Sequence, residues 1–182
     1  IKNIPVAAGL GGGSSDAASV LLGLNAMYSA PLSEPELNRL ALKLGADVPF
    51  FIKGIPSLAT GVGEILEPIP NWPEAWYVII TPPIQVSTAW VYGNLKLGLT
   101  TGEYDYIVKI LKNDTFTISK VLENDLERVT TASFPIINTL KKLLVDAGAE
   151  GAIMSGSGPS VFGVFASREK AESAKDFLAP LE

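Results

Sequence analysis

Four glycines in five positions mark the stretch with the clearest chemical potential, Gly9-Leu10-Gly11-Gly12-Gly13-Ser14-Ser15. Glycine allows positive φ and lets a ligand approach the peptide planes closely. The run leads straight into residues 16–27, where Ala17, Val20, Leu21, Leu24 and Met27 keep a helical period and suggest one buried face. A helix capped by Ser14 or Ser15, with Asp16 in its first turn, aims free N–H groups and a partial positive charge back at the loop. Loop and helix together make a phosphate cradle. Neither of two better-known glycine loops fits: a Walker A loop needs Lys before Ser/Thr, and a dinucleotide fingerprint needs Gly where Ser14 stands. The plainer alternative is a flexible linker or simple tight turn.

Asp47 is the second candidate, in Gly45-Ala46-Asp47-Val48-Pro49-Phe50-Phe51. An acid among these apolar neighbours would be desolvated and so suited to proton transfer. Equally, it could cap the short turn that follows. A third feature, Ser155-Gly156-Ser157-Gly158-Pro159-Ser160, reads as a tight glycine turn or as a cover closing over a phosphate from the far side. Thr88, Trp90 and Tyr92 follow the turn Pro82-Pro83. They are either core residues or a ring and hydroxyl that hold a base or sugar.

Composition limits what these residues do. The 182-residue chain has no His and no Cys. That excludes a Ser-His-Asp triad, His-ligated zinc, disulfides and a Cys nucleophile within the chain. Proton transfer falls to Asp, Glu, Lys or Tyr. A reducing, cytoplasmic location is the expectation. Fourteen Lys+Arg against nineteen Asp+Glu give a net charge of −5, with no basic run, so nucleic acid and anionic membrane are not the expected partners. Hydrophobic residues make up 47% of the chain and mean hydropathy is +0.30, ample for a packed core. No apolar stretch is long enough to span a bilayer.

Several elements must position these groups. Ser33-Glu34-Pro35-Glu36 is a capping box that opens a helix with Leu37, Leu40, Ala41 and Leu44 as its stripe and Gly45 as its stop. Residues 57–60 and 64–69 read as strands around Gly61-Val62-Gly63. Three prolines within residues 68–73 suggest a boundary. Beyond it, residues 76–81 read as a buried strand and 87–95, 104–112, 134–147 and 168–178 as helices. Residues 151–154 and 160–166 read as strands. That order predicts an α+β architecture, helices on one face of an antiparallel sheet.

Pro5-Val6-Ala7-Ala8-Gly9-Leu10-Gly11-Gly12-Gly13-Ser14-Ser15 resembles the second motif of the GHMP kinases. Leu44–Phe51, Gly61–Glu64 and the Ser155–Ser160 turn follow in the order found in one member of that family. That member acts on a cytidine diphosphate-linked methylerythritol in the non-mevalonate isoprenoid pathway. The resemblance implies ATP-dependent phosphorylation of that compound's 2-hydroxyl. It makes Pro5 to Ser15 the ATP loop, with Ser15 toward Mg²⁺, and Asp47 the residue that activates the hydroxyl. Thr88 and Tyr92 match positions at the cytidine end, and Gly156, Ser157 and Gly158 lie in the third motif. It also implies a ribosomal-protein-S5-like N-terminal domain, with residues 1–68 as its latter part, and a ferredoxin-like C-terminal domain over 69–182. The family's Pro-x-x-x-Lys-x-Asn motif does not precede Ile1, so the expectation is a chain that lacks the first part of that domain and is inactive alone. Other kinases of the family, acting on homoserine, mevalonate or a sugar, and a non-catalytic nucleotide-binding module are the alternatives.

Overall fold

Gly11, in the left-handed conformation at φ 64°, is the residue from which the first helix springs. The structure, a computed structural model, describes residues 5–96, 108–111 and 116–179. They form two units: a helical unit, Gly11–Trp72, and a sheet unit that joins residues 5–10 to the described residues from Pro73 onward.

In the helical unit, α1 (Gly12–Met27), α2 (Glu34–Leu44) and α3 (Val48–Lys53) precede the strands β1 (Ser57–Thr60) and β2 (Ile65–Pro68). The cap of α1 is Gly11, without a side-chain hydrogen bond, rather than Ser14 or Ser15. The expected buried face of α1 is also different. Ala17, Ala18 and Leu21 pack with Ala41 of α2 and Val48 of α3, while Val20, Leu24 and Met27 are exposed. At about 100° per residue, Val20 and Met27 fall on the far side of the helix from Ala18. Small side chains at Ala18 and Ala41 let the helices approach closely, and that contact decides which face turns inward. Asn25 then ties down the α1–α2 connection, accepting from the Leu32 N–H at 3.0 Å and donating to the Leu32 carbonyl at 3.1 Å.

The Glu36 carboxylate accepts from the Ser33 N–H at 2.9 Å, one half of the capping box, and also from the Ser33 hydroxyl at 2.6 Å. The Ser33 hydroxyl, then its N–H, holds Glu36 below the ordinary 4.5. Unfolding breaks both bonds, so the folded value is the depressed one. The contribution is complete above the unfolded value and is lost as pH falls through the folded one. Thermal melts of the parent and Glu36→Gln should therefore differ at neutral pH and converge in acid. An unchanged Tm difference in acid contradicts this assignment.

β1 and β2 pair antiparallel with Thr60 opposite Ile65. Gly61 and Gly63 turn the chain at positive φ. Gly63 lies against Ala46, so the hairpin tip meets the loop that carries Asp47.

The sheet unit contains β3 (Trp76–Ile80), α4 (Thr88–Asn94), a 3-10 turn (Ile118–Val121), α5 (Glu127–Ser133), α6 (Ile136–Asp146), β4 (Gly151–Met154), β5 (Val161–Phe165) and α7 (Arg168–Leu178). Its sheet is antiparallel in the order β3-β5-β4. Val78 and Ala152 flank Gly163, and Ile80 and Met154 flank Val161. This face packs on Ile137 and Leu144 of α6 and on Ala171, Ala174 and Leu178 of α7. Each large apolar side chain fully removed from water contributes roughly 1.5–3 kcal/mol. A Cβ on Gly163 would come within 3.0 Å of the Ala149 Cβ and 3.2 Å of the Leu144 Cβ, so glycine there admits α6 closely. Among the described residues β3 lies at the sheet edge with Trp76, Tyr77 and Ile79 exposed, rather than buried as expected. Its continuous apolar run suggested cover on both faces, but the two helices pack against one. Residues 118–121 and 127–133, to which sequence periodicity assigns no element, form a 3-10 turn and α5. Of the expected helix over 104–112, residues 108–111 are helical and the rest lie outside the described residues.

Candidate active site

Residues 5–10 enter the site as backbone. Ala7, Gly9 and Gly11 have φ of 55°, 74° and 64°. Ala8 is buried, whereas Pro5 and Val6 are exposed and Leu10 is half-buried. The Ala8 carbonyl accepts from the Ser160 N–H at 3.2 Å, and the Gly9 carbonyl accepts from the Ser155 hydroxyl at 2.8 Å. A Cβ on Gly9 would stand 2.1 Å from the Ser155 carbonyl oxygen. Only glycine suits that position, on both conformation and space.

The Ser155–Ser160 turn thus closes on the beginning of the glycine loop. Gly156 and Gly158 take positive φ, and the Gly158–Pro159 peptide is cis. Hydroxyl pairs fix its other side: Thr88 with Ser157 and Thr81 with Ser160, each at 2.8 Å. The Thr130 hydroxyl donates to the Ser157 carbonyl at 3.2 Å. Ser157, Ser160 and Thr130 are buried, so these bonds form away from water, where an unmade one would be costly. Ser87 caps α4 by accepting from the Trp90 N–H, which places Thr88 in the first turn beside the glycine turn. Tyr92 lies one helical turn further on and is exposed, its ring free to meet a ligand. Trp90 falls on another side of α4, beside Arg128 and Val129 of α5. The two aromatic residues therefore face different surroundings.

In the helical unit, the first intrahelical bond of α1 runs from the Ser15 N–H to the Gly11 carbonyl at 2.9 Å. The N–H groups of Gly12, Gly13 and Ser14 precede that bond and point out of the helix end. A Cβ on Gly12 or Gly13 would meet nothing within 4 Å, whereas one on Gly11 would strike the Phe51 ring at 2.6 Å. Gly11 makes the turn, and Gly12 and Gly13 leave the space in front of the donors open. That arrangement suits an anion.

Asp47 stands at the N-cap position of α3, with its backbone in the right-handed helical region and no capping hydrogen bond from its side chain. Val48 and Pro49 are buried, but Asp47 is exposed. The apolar environment expected from its neighbours is therefore absent in this unit. Neighbours in sequence turn inward and leave the carboxylate facing solvent. Among the described residues no group of three His, Cys, Asp or Glu is placed to hold a metal. Mg²⁺ can instead be carried by nucleotide phosphates with few protein ligands.

Sequence reasoning passed over Thr81, Asn124, Glu127 and Thr130, which hold the glycine turn. No local sequence pattern marks them, because each bonds a group far along the chain.

Residues 1–55 match the family model described as GHMP kinases N terminal domain, and residues 106–180 match the one described as GHMP kinases C terminal. A 4-diphosphocytidyl-2-C-methyl-D-erythritol kinase of Geobacter metallireducens is 55% identical over 175 residues, covering 95% of this chain and 61% of that relative. A solved 4-(cytidine 5'-diphospho)-2C-methyl-D-erythritol kinase is 36% identical with a TM-score of 0.79, over 98% of this chain and 65% of that one. A homoserine kinase from Cytophaga hutchinsonii shares the fold at 21% identity and a TM-score of 0.75, over 100% of this chain and 65% of that one. The chain spans 61% to 63% of the length of the curated relatives it matches. No helix among the described residues is long and apolar enough to cross a membrane.

Proposed function

The chain belongs to the GHMP kinase family, and from that premise we propose that the full-length protein transfers the γ-phosphoryl group of ATP to the 2-hydroxyl of 4-diphosphocytidyl-2-C-methyl-D-erythritol. One observation carries the reading furthest. A single turn, Ser155–Ser160, is bonded on one side to Gly9 of the nucleotide loop and on the other to Thr88 at the expected cytidine end. Phosphoryl transfer depends mainly on holding donor and acceptor in line, and a shared turn is a device for that.

In this reading Pro5 to Ser15 hold ATP. The free N–H groups of residues 12–14 neutralise phosphate oxygens, and Ser15 is the residue that would meet a Mg²⁺ carried by the nucleotide, which would offset phosphate charge. Thr88 and Tyr92 hold the cytidine end, Tyr92 by stacking. Gly156, Ser157 and Gly158 border the reacting groups. Asp47 takes the proton of the 2-hydroxyl as the new O–P bond forms and the bond to the departing ADP breaks. Residues 1–68 serve as the latter part of the N-terminal domain and 69–182 as the C-terminal domain, in a cytoplasmic enzyme.

The test is acceptor choice. ADP release by the full-length protein should depend on 4-diphosphocytidyl-2-C-methyl-D-erythritol and stay at background with homoserine, mevalonate or galactose. Robust release with one of those instead assigns the chain to another branch of the family. Tight nucleotide binding with no release on any acceptor favours a binding module.

A further inference from the structure

We infer that Asn124 and Glu127 are positioning residues that latch the Ser155–Ser160 turn from the free edge of β4 and thereby set the geometry of phosphoryl transfer. The inference rests on the kinase reading above. Among the described residues β4 is an edge strand, and the outward N–H and C=O of its last residue, Met154, meet no neighbouring strand there. Two side chains take that strand's place. Glu127 Oε1 accepts from the Met154 N–H at 2.6 Å. Asn124 Nδ2 donates to the Met154 carbonyl and to the Gly156 carbonyl, both at 2.8 Å.

Each partner is itself held. Asn124 Oδ1 accepts from the Leu126 N–H at 3.0 Å, which orients its amide. Glu127 Oε2 pairs with Lys141 Nζ of α6 at 2.5 Å, and both side chains are largely buried. The clamp acts on main-chain atoms at the point where the chain leaves the sheet and enters two glycines of positive φ. Glycine supplies little stiffness of its own, so a turn of this kind takes its shape from outside.

The residue types are specific. Asn124 must donate twice and accept once, which an amide does and a carboxylate cannot. Asn124→Asp keeps the shape but sets a carboxylate against two carbonyl oxygens. Glu127→Gln keeps the acceptor for Met154, whereas Glu127→Ala removes it. Lys141→Met removes only the ion pair.

The experiment combines steady-state kinetics of the full-length protein with backbone hydrogen exchange over residues 154–160, below the Tm of every variant. Asn124→Asp and Glu127→Ala should lower kcat by about 10- to 100-fold with KM for ATP nearly unchanged, because small misplacements act on the transition state. Exchange in the turn should rise by at least about tenfold with them, because Glu127→Ala frees the Met154 N–H directly and Asn124→Asp releases the carbonyls that hold the turn in its protected shape. Glu127→Gln and Lys141→Met should stay within a few-fold of the parent in both readouts. A purely structural pair would instead make Lys141→Met and Glu127→Ala alike, lowering Tm and leaving kcat untouched. Parent-like exchange in both damaging variants, or raised exchange with parent-like kcat, overturns the latch. A parent that transfers no phosphoryl group overturns the kinase reading, and hydrogen exchange then still decides whether the latch exists.

Discussion

Asp47→Asn in the full-length protein should lower kcat by about 10²- to 10⁴-fold, the range for loss of a positioned general base, while KM for ATP stays within a few-fold. Within this chain no His or Cys competes for the role. The carboxylate is exposed at the start of α3 and makes no capping bond, so it is free to act on a substrate. Its backbone is anchored by buried Val48 and Pro49 and lies beside the Gly61–Gly63 turn, so the side chain starts from a fixed point. Asparagine preserves size and local packing, and because the wild-type side chain does not cap α3, stability should change little. A loose transition state leaves proton removal late, which is why the loss is bounded rather than total. Steady-state kinetics at saturating ATP reads the result. A kcat within a few-fold of the parent assigns the base to another group.

Gly12→Val is the second large effect, and it should fall on nucleotide affinity. A Cβ at Gly12 meets nothing within 4 Å, so the fold accommodates the side chain. Its methyl groups instead occupy the space before the N–H groups of residues 12–14. Each hydrogen bond to a charged group contributes about 1.5–3 kcal/mol, so losing one weakens ATP binding about 10- to 150-fold. Gly9→Ala makes the contrast. There the new Cβ would overlap the Ser155 carbonyl, and the damage should appear first as a lower Tm. Calorimetric titration with ATP, paired with thermal melts, separates the two. Unchanged ATP affinity in folded Gly12→Val removes the cradle from the account.

Signals held within a few residues were legible. The box Ser33–Glu36, the hairpin about Gly61–Gly63 and the closing helix α7 each depend on contacts along a short stretch, and each is present. What depended on distant partners was not. The face of α1 is chosen by Ala41 and Val48, and the exposure of β3 follows from its place at the sheet edge. Ser14 and Ser15 are good caps by type, yet a left-handed Gly11 starts the helix before them. Of the candidate site, the glycine loop and turn were readable because glycine at such positions has a backbone reason. Asn124 and Glu127 were not, since each acts on main chain some thirty residues away. Asp47 shows the limit of sequence neighbourhood: adjacent Val48 is buried and Asp47 is not.

Full-length protein, ATP, Mg²⁺ and 4-diphosphocytidyl-2-C-methyl-D-erythritol should be incubated together and the products followed by phosphorus NMR. The account predicts ADP and one new phosphomonoester resonance, coupled to the methylerythritol 2-position, in equal amounts. ADP with free inorganic phosphate, or a phosphoryl group on another hydroxyl, contradicts it.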